Sequence, residues 1–149
     1  MNYAAYVRMV GGGLEEAGFR PEAVPEELQD RLALVVSRAE AWGRLLIALA
    51  AEPNRAGPGE TEALVRACGA WMRAGQGEAA RHMILVFAFD REVGEEEAEA
   101  IVALQERDPD DRWSVIPWCA DLEVGLVDQH TGFPPVDPAV ARILTEVPE

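Results

Sequence analysis

Three stretches of this 149-residue chain carry side chains whose types and spacing could do chemistry. Asp108, Asp110 and Asp111 put three carboxylates on one short segment, Asp-Pro-Asp-Asp. Hard divalent cations take oxygen ligands of this kind, although the spacing is not that of the twelve-residue calcium loop and the turn glycine is missing. The bland alternative is a solvated acidic loop. Cys119, Asp121, Asp128 and His130 form a second set. Asp128 and His130 would share one face of a strand, and a turn at 121–125 could bring Cys119 or Asp121 across from them. Such a set suits zinc or a non-haem metal, but no His-x-x-x-His or Cys-x-x-Cys pair anchors it. The third is aromatic. Trp118 and Phe133-Pro134-Pro135 join anchor side chains to an extended Pro-Pro segment, a combination that could dock a protein partner or simply pack under a sheet.

Other chemistries find no support. All thirteen basic residues are arginine, so there is neither a Schiff-base lysine nor a phosphate loop ending in Gly-Lys-Ser/Thr. The only serines are Ser37 and Ser114, and neither sits in a Gly-x-Ser setting. His82 opens an apolar run, where a structural polar cap is the simplest role. Glu92, Glu95, Glu96, Glu97 and Glu99 crowd a helix start, where the dipole favours acids. Cys68 and Cys119 have apolar neighbours and read as buried free thiols. No catalytic residue is assigned, and no cofactor beyond a divalent cation at one of the two loops. A net charge of −14 repels phosphate backbones and anionic leaflets, which leaves a protein as the expected partner and nucleic acid as none. No leader opens the chain and no apolar run nears the ~20 residues of a membrane helix, so membrane insertion by this chain is not expected and a cytoplasmic location is.

The elements that must position these residues centre on 82–118. Met83–Phe89 is an unbroken apolar run, 94–107 reads as an acidic helix, and Trp113–Trp118 is a second apolar run. That is the βαβ rhythm of a parallel, buried strand pair. Before it, Asn2–Ala17 has helical spacing through Tyr3, Tyr6, Val7, Val10 and Leu14, weakened by Gly11-Gly12-Gly13 at ~1 kcal/mol per glycine. Arg20–Gln29 reads as loop. Residues 31–52 fit either one helix or a hairpin of Leu32–Val36 with Leu45–Leu49. Local propensity favours the helix, whereas a sheet of two or three strands needs the extra pair. Glu60–Gly75 is a helix with Thr61 as its cap. After the centre come a short strand, a proline-rich loop over Gln129–Pro138, and a helix over Ala139–Val147.

The order of these elements resembles the soluble N-terminal cytoplasmic domain carried by some bacterial rhomboid-family intramembrane proteases. The residues that carry the likeness run from Leu14-Glu-Glu-Ala-Gly-Phe-Arg20 through the paired runs Leu32–Val36 and Leu45–Leu49. They continue through Thr61–Arg73, Met83–Phe89 and Trp113–Trp118 with Asp121-Leu-Glu123. The resemblance covers most of the chain and rests on element order and apolar pattern. It tips 31–52 toward the hairpin. It implies an accessory domain, tethered to a membrane protease, that senses a ligand or presents a partner, with Glu149 the edge of a longer protein. Neither membrane helices nor a Gly-x-Ser motif lie in these residues, so no proteolytic role carries over.

The expected fold is therefore a single α/β domain over 1–149: a mixed sheet of four to five strands with a central βαβ unit and packed helices, in the order α-β-β-α-β-α-β-β-α. The expected function is a non-catalytic regulatory or interaction domain. The competing reading is a small metal-binding protein or enzyme using the acidic loop or the Cys/Asp/His set.

Overall fold

The structure is a computed structural model that describes residues 1–51, 57–75, 79–124 and 134–145, and the backbone of 126–128. Four helices and seven strands are seen among them: α1 (Tyr3–Glu16), β1 (Arg20–Pro21), β2 (Leu32–Glu40), β3 (Gly43–Ala50), α2 (Pro58–Ala74), β4 (Ala80–Phe89), α3 (Glu95–Val102), β5 (Glu106–Arg107), β6 (Trp113–Asp121), β7 (Leu126–Asp128) and α4 (Pro138–Thr145). One mixed sheet runs β1-β2-β3-β4-β6-β5, and β7 also pairs with β6. This is the expected α/β class and element order, with two short strands added. β1 falls in the segment read as loop, and β5 falls where the acidic helix was expected to continue. Two-residue strands carry no periodic signal, and α3 stops at Val102.

The βαβ centre is present. β4 runs parallel to β6 from Arg81↔Trp113 to Phe89↔Asp121, and parallel to β3 from Gly43↔Ala80 to Leu49↔Val86. Both crossovers step in the same direction across the sheet, so a constant hand must put their helices on one face. α2 and α3 do share a face, over Leu46, Met83, Leu85, Phe87 and Phe89. The other face carries α1 and α4 over Leu45, Ile47, Ile84, Val86, Ile116 and Trp118.

Residues 32–50 form the hairpin, not the helix. The deciding residues are Leu45–Ala50, all buried. On a strand they alternate between the two helical layers, which removes every one of them from water at roughly 1.5–3 kcal/mol per large side chain. On a helix the same six would point all round the axis, and one packed face could not cover them. The turn is tighter than expected: Glu40 pairs with Gly43 across Ala41-Trp42. Gly43 has φ +149°, and a Cβ there would lie 2.3 Å from the Ala80 carbonyl oxygen. Only glycine fits where β3 meets β4.

The other helices follow from local chemistry. Asn2 caps α1 by accepting the Ala5 N–H at 2.8 Å. Gly18, at φ +96°, closes it, and Phe19 N–H reaches back to the Leu14 carbonyl at 3.0 Å. Gly13 is where α4 comes close, since a Cβ would meet Ile143 Cγ2 at 2.9 Å. The Tyr6 hydroxyl donates to the Leu144 carbonyl at 2.8 Å and ties α1 to α4. α2 starts two residues earlier than expected, and its cap lies one turn before Thr61. Gly57 is its N-cap with Pro58 in the first position, while Thr61 is inside the helix and its hydroxyl donates to the Gly57 carbonyl at 3.3 Å.

Two prolines sit in the sheet without costing it a ladder bond. The Trp113 carbonyl accepts from Asp108 N–H on the β5 side, and Leu122 N–H donates to the Phe89 carbonyl on the β4 side. Backbone groups alternate sides along a strand, so the nitrogen of Pro117 faces the β5 side. There it falls between the stretch of β6 paired with β5 (Ser114, Val115) and the stretch paired with β7 (Cys119–Asp121). Glu22 N–H likewise points inward to the Val35 carbonyl, so the nitrogen of Pro21 faces away from β2.

Candidate binding cleft and the placement of reactive side chains

α2 leaves the carboxyl end of β3 and α3 leaves that of β4, so their first turns rise side by side. Between them lies a cleft of about 450 Å³. Phe89, Ala100, Ile101 and Leu104 give it an apolar floor, and Glu62, Glu96, Glu97 and Arg91 form its rim. Arg91 is held twice. Its guanidinium donates to Glu97 Oε1 at 2.6 Å and lies 4.7 Å from the Phe89 ring centre. The rim therefore keeps an excess of negative charge. Sequence reasoning missed this cleft. Its available signal was the end of the β4 run, Phe89-Asp90-Arg91, because ligands in open α/β sheets gather at the carboxyl ends of strands.

The chemically capable side chains of the interior are engaged by the fold. Asp121 is buried at the end of β6. Its Oδ2 accepts Val93 N–H at 3.0 Å, and its Oδ1 accepts Glu123 N–H at 2.9 Å and Val124 N–H at 3.3 Å. One carboxylate thus fixes the entry to α3 and the turn before β7. His82 is fully buried at the start of β4. Its Nε2 faces the Asp111 carbonyl at 2.9 Å and must donate there. Nδ1 is then the acceptor for the Ser114 hydroxyl at 2.6 Å. Asp111 offers that carbonyl from a left-handed conformation, φ 55°. Trp42 meets the imidazole edge-on at 5.2 Å between ring centres. Burial pushes the His82 pKa below its ordinary value, against the opposing pull of the Asp111 hydrogen bond. The Cys68 thiol, buried under α2, is pushed up to about 12 by the same loss of solvation.

The three sequence-derived sets are placed as follows. In the acidic loop, Asp108 Oδ2 accepts Arg112 N–H at 3.1 Å and Asp111 Oδ1 pairs with Arg107 at 3.2 Å, while Asp110 is exposed. Asp108 and Asp111 shape the turn into β6. Of the second set, Cys119 and Asp121 are buried neighbours on β6, and the backbone of Asp128 pairs opposite Cys119. The side chain of Asp128 and all of His130 lie outside the described residues. Among the described residues, no three His, Cys, Asp or Glu side chains come together as metal ligands. The aromatic set needs a correction. Trp118 is 2% exposed in the layer under α1 and α4, so the sheet holds it as core and not as a docking anchor. Its Nε1 is buried without a hydrogen-bond partner. Pro134 is buried, Pro135 is exposed, and Phe133 lies outside the described residues.

No helix among the described residues is long and apolar enough to cross a membrane. The chain matches no protein-family model, no curated protein and no solved structure.

Proposed function

We propose that this chain is a non-catalytic accessory domain, the cytoplasmic N-terminal part of a rhomboid-like membrane protease. Its α2–α3 cleft receives a basic segment that carries one apolar anchor side chain. The observation behind this reading is the cleft itself, an apolar floor of Phe89, Ile101 and Leu104 under a rim with more carboxylates than guanidinium groups. Cytoplasmic loops next to membrane helices are enriched in lysine and arginine. An acidic domain is attracted to such loops while the anionic leaflet repels it. The order of elements supports the tethered form, and the engagement of Asp121, His82 and Ser114 in holding the fold supports a non-catalytic role.

The test is binding of a labelled Arg/Lys-rich juxtamembrane peptide by the wild type and by Glu62→Arg/Glu96→Arg. The double variant should bind about tenfold more weakly at low salt, and the difference should shrink as salt rises. Equal binding by both proteins rejects the cleft. In parallel, cleavage by a detergent-solubilised rhomboid core from the same gene should change when the domain is added; an unchanged rate rejects the tether. Stoichiometric metal in protein purified without chelator would instead favour the metal-binding reading.

A further inference from the structure

A second recess, of about 460 Å³, opens at the amino end of the parallel strands, far along the sheet from the α2–α3 cleft. Arg44 and Arg81 occupy directly paired positions on β3 and β4. Both follow the alternation that points toward α2, and adjacent strands are only ~4.8 Å apart. Two guanidinium groups thus face one recess in a protein of net charge −14. Trp71 of α2 forms a wall, with the Arg81 guanidinium 5.6 Å from its ring centre.

Among the described residues, little satisfies these cations. Arg44 donates to the Ser37 hydroxyl oxygen at 3.0 Å, and that hydroxyl in turn donates to Glu22. Arg81, whose side chain is 13% exposed, meets Glu22 only at 4.0 Å. Burial, more than the nearby Arg44 charge, disfavours the charged form of Arg81, while Glu22 supports it. A half-buried guanidinium has five N–H donors to place, and its fork matches a carboxylate two bonds at a time. Arg44, Arg81 and Glu22 together carry one net positive charge.

We propose that this recess is a binding site for a carboxylate, held between Arg44 and Arg81 against Trp71, with Glu22 as its internal competitor. A single carboxylate neutralises the local charge, whereas a phosphate dianion would leave an excess negative charge inside an already acidic molecule. The carboxylate can come from a small organic acid or from the free C-terminus of a peptide. The site is independent of the docking cleft and stands if that reading fails.

The experiment follows the arginine Nε–H resonances of the intact chain by NMR, at ionic strength held constant with chloride. Four probes are titrated: acetate, an alanine tripeptide with a free carboxyl group, its C-terminal amide, and inorganic phosphate. Acetate and the free tripeptide should shift the Arg44 and Arg81 signals saturably, and the amide should not. Tighter binding of the tripeptide assigns a chain terminus; equal binding assigns a small acid. Arg44→Gln, at an exposed position, should weaken binding about tenfold and Arg81→Gln at least as much. Glu22→Gln should strengthen it about tenfold, a change that loss of structure would not produce. The proposal is overturned by no saturable shift with either carboxylate, by phosphate binding more tightly than both in the wild type, or by unchanged affinity in Arg44→Gln.

Discussion

The recesses at the two ends of the parallel strands carry opposite charges. At the carboxyl end, Asp121, Glu62, Glu96 and Glu97 gather around the openings of α2 and α3, with Arg91 drawn in among them. At the amino end, Arg44 and Arg81 stand in one row with Trp113, and His82 stands beside Ser114 on the opposite face. Parallel strands enter at one end and leave at the other, so residues that begin distant runs are brought together, as are residues that finish them. The buried polar groups differ too. The carboxyl end relies on the Asp121 side-chain oxygens collecting backbone N–H groups. The amino end relies on a neutral imidazole and on tight backbone contact.

Urea denaturation of variants at four positions would break or sharpen this contrast. Gly43→Ala should cost the most, about 4 kcal/mol. The new Cβ meets the Ala80 carbonyl oxygen, a backbone atom that cannot swing away, at a φ that disfavours any side chain. Asp121→Ala should cost about 3 kcal/mol by leaving the Val93, Glu123 and Val124 N–H groups without their acceptor. Asp121→Asn, which keeps one carbonyl acceptor, should lose less. If Asp121→Ala unfolds at the wild-type midpoint, the carboxyl end is not organised by that side chain.

His82→Gln should cost about 2 kcal/mol and also change the pH profile. Because burial lowers the native pKa of His82, the unfolded chain takes up a proton near the ordinary value of 6.5 before the native state does. The contribution of the neutral imidazole is therefore complete above about pH 6.5. It erodes as pH falls from there through the native pKa. His82→Gln should remove that part of the slope, and an unchanged slope would place the titration elsewhere. Arg91→Gln should be the smallest change, about 0.5 kcal/mol, since its ion pair with Glu97 is about two-fifths exposed on both sides.

Much of this was legible in the residues. The runs 83–89 and 113–118 required a buried parallel pair, and the sheet has it. The hairpin was legible through the needs of the sheet and the resemblance in element order, since its residues taken alone prefer a helix. β1 and β5 left no trace because two residues cannot show alternation. The sequence left Trp118 open between docking anchor and core, because a tryptophan near prolines looks the same in sequence whether it faces a partner or α1; it is core. The rows at the amino end had a usable signal: each apolar run is preceded by polar or charged residues, Arg44 before Leu45, Arg81-His82 before Met83 and Ser114 before Val115. Aligning those starts in a parallel register would have placed His82 beside Ser114, but it would have set Arg44 beside His82, one residue from its partner Arg81. The end of the β4 run marked where the α2–α3 cleft opens, but not its walls, which come from helix faces whose spacing depends on packing.

Pro21 and Pro117, each turning a nitrogen without hydrogen outward, have a consequence for behaviour in concentrated solution. A fibre grows through a sheet when an outermost strand presents a continuous row of N–H and C=O groups to the next molecule. On one flank that row is interrupted at Pro21, and on the other the short strands β5 and β7 cover what Pro117 does not break. Along the described strands, crowded copies of this chain therefore meet broken rows on both flanks, which hinders polymerisation strand on strand.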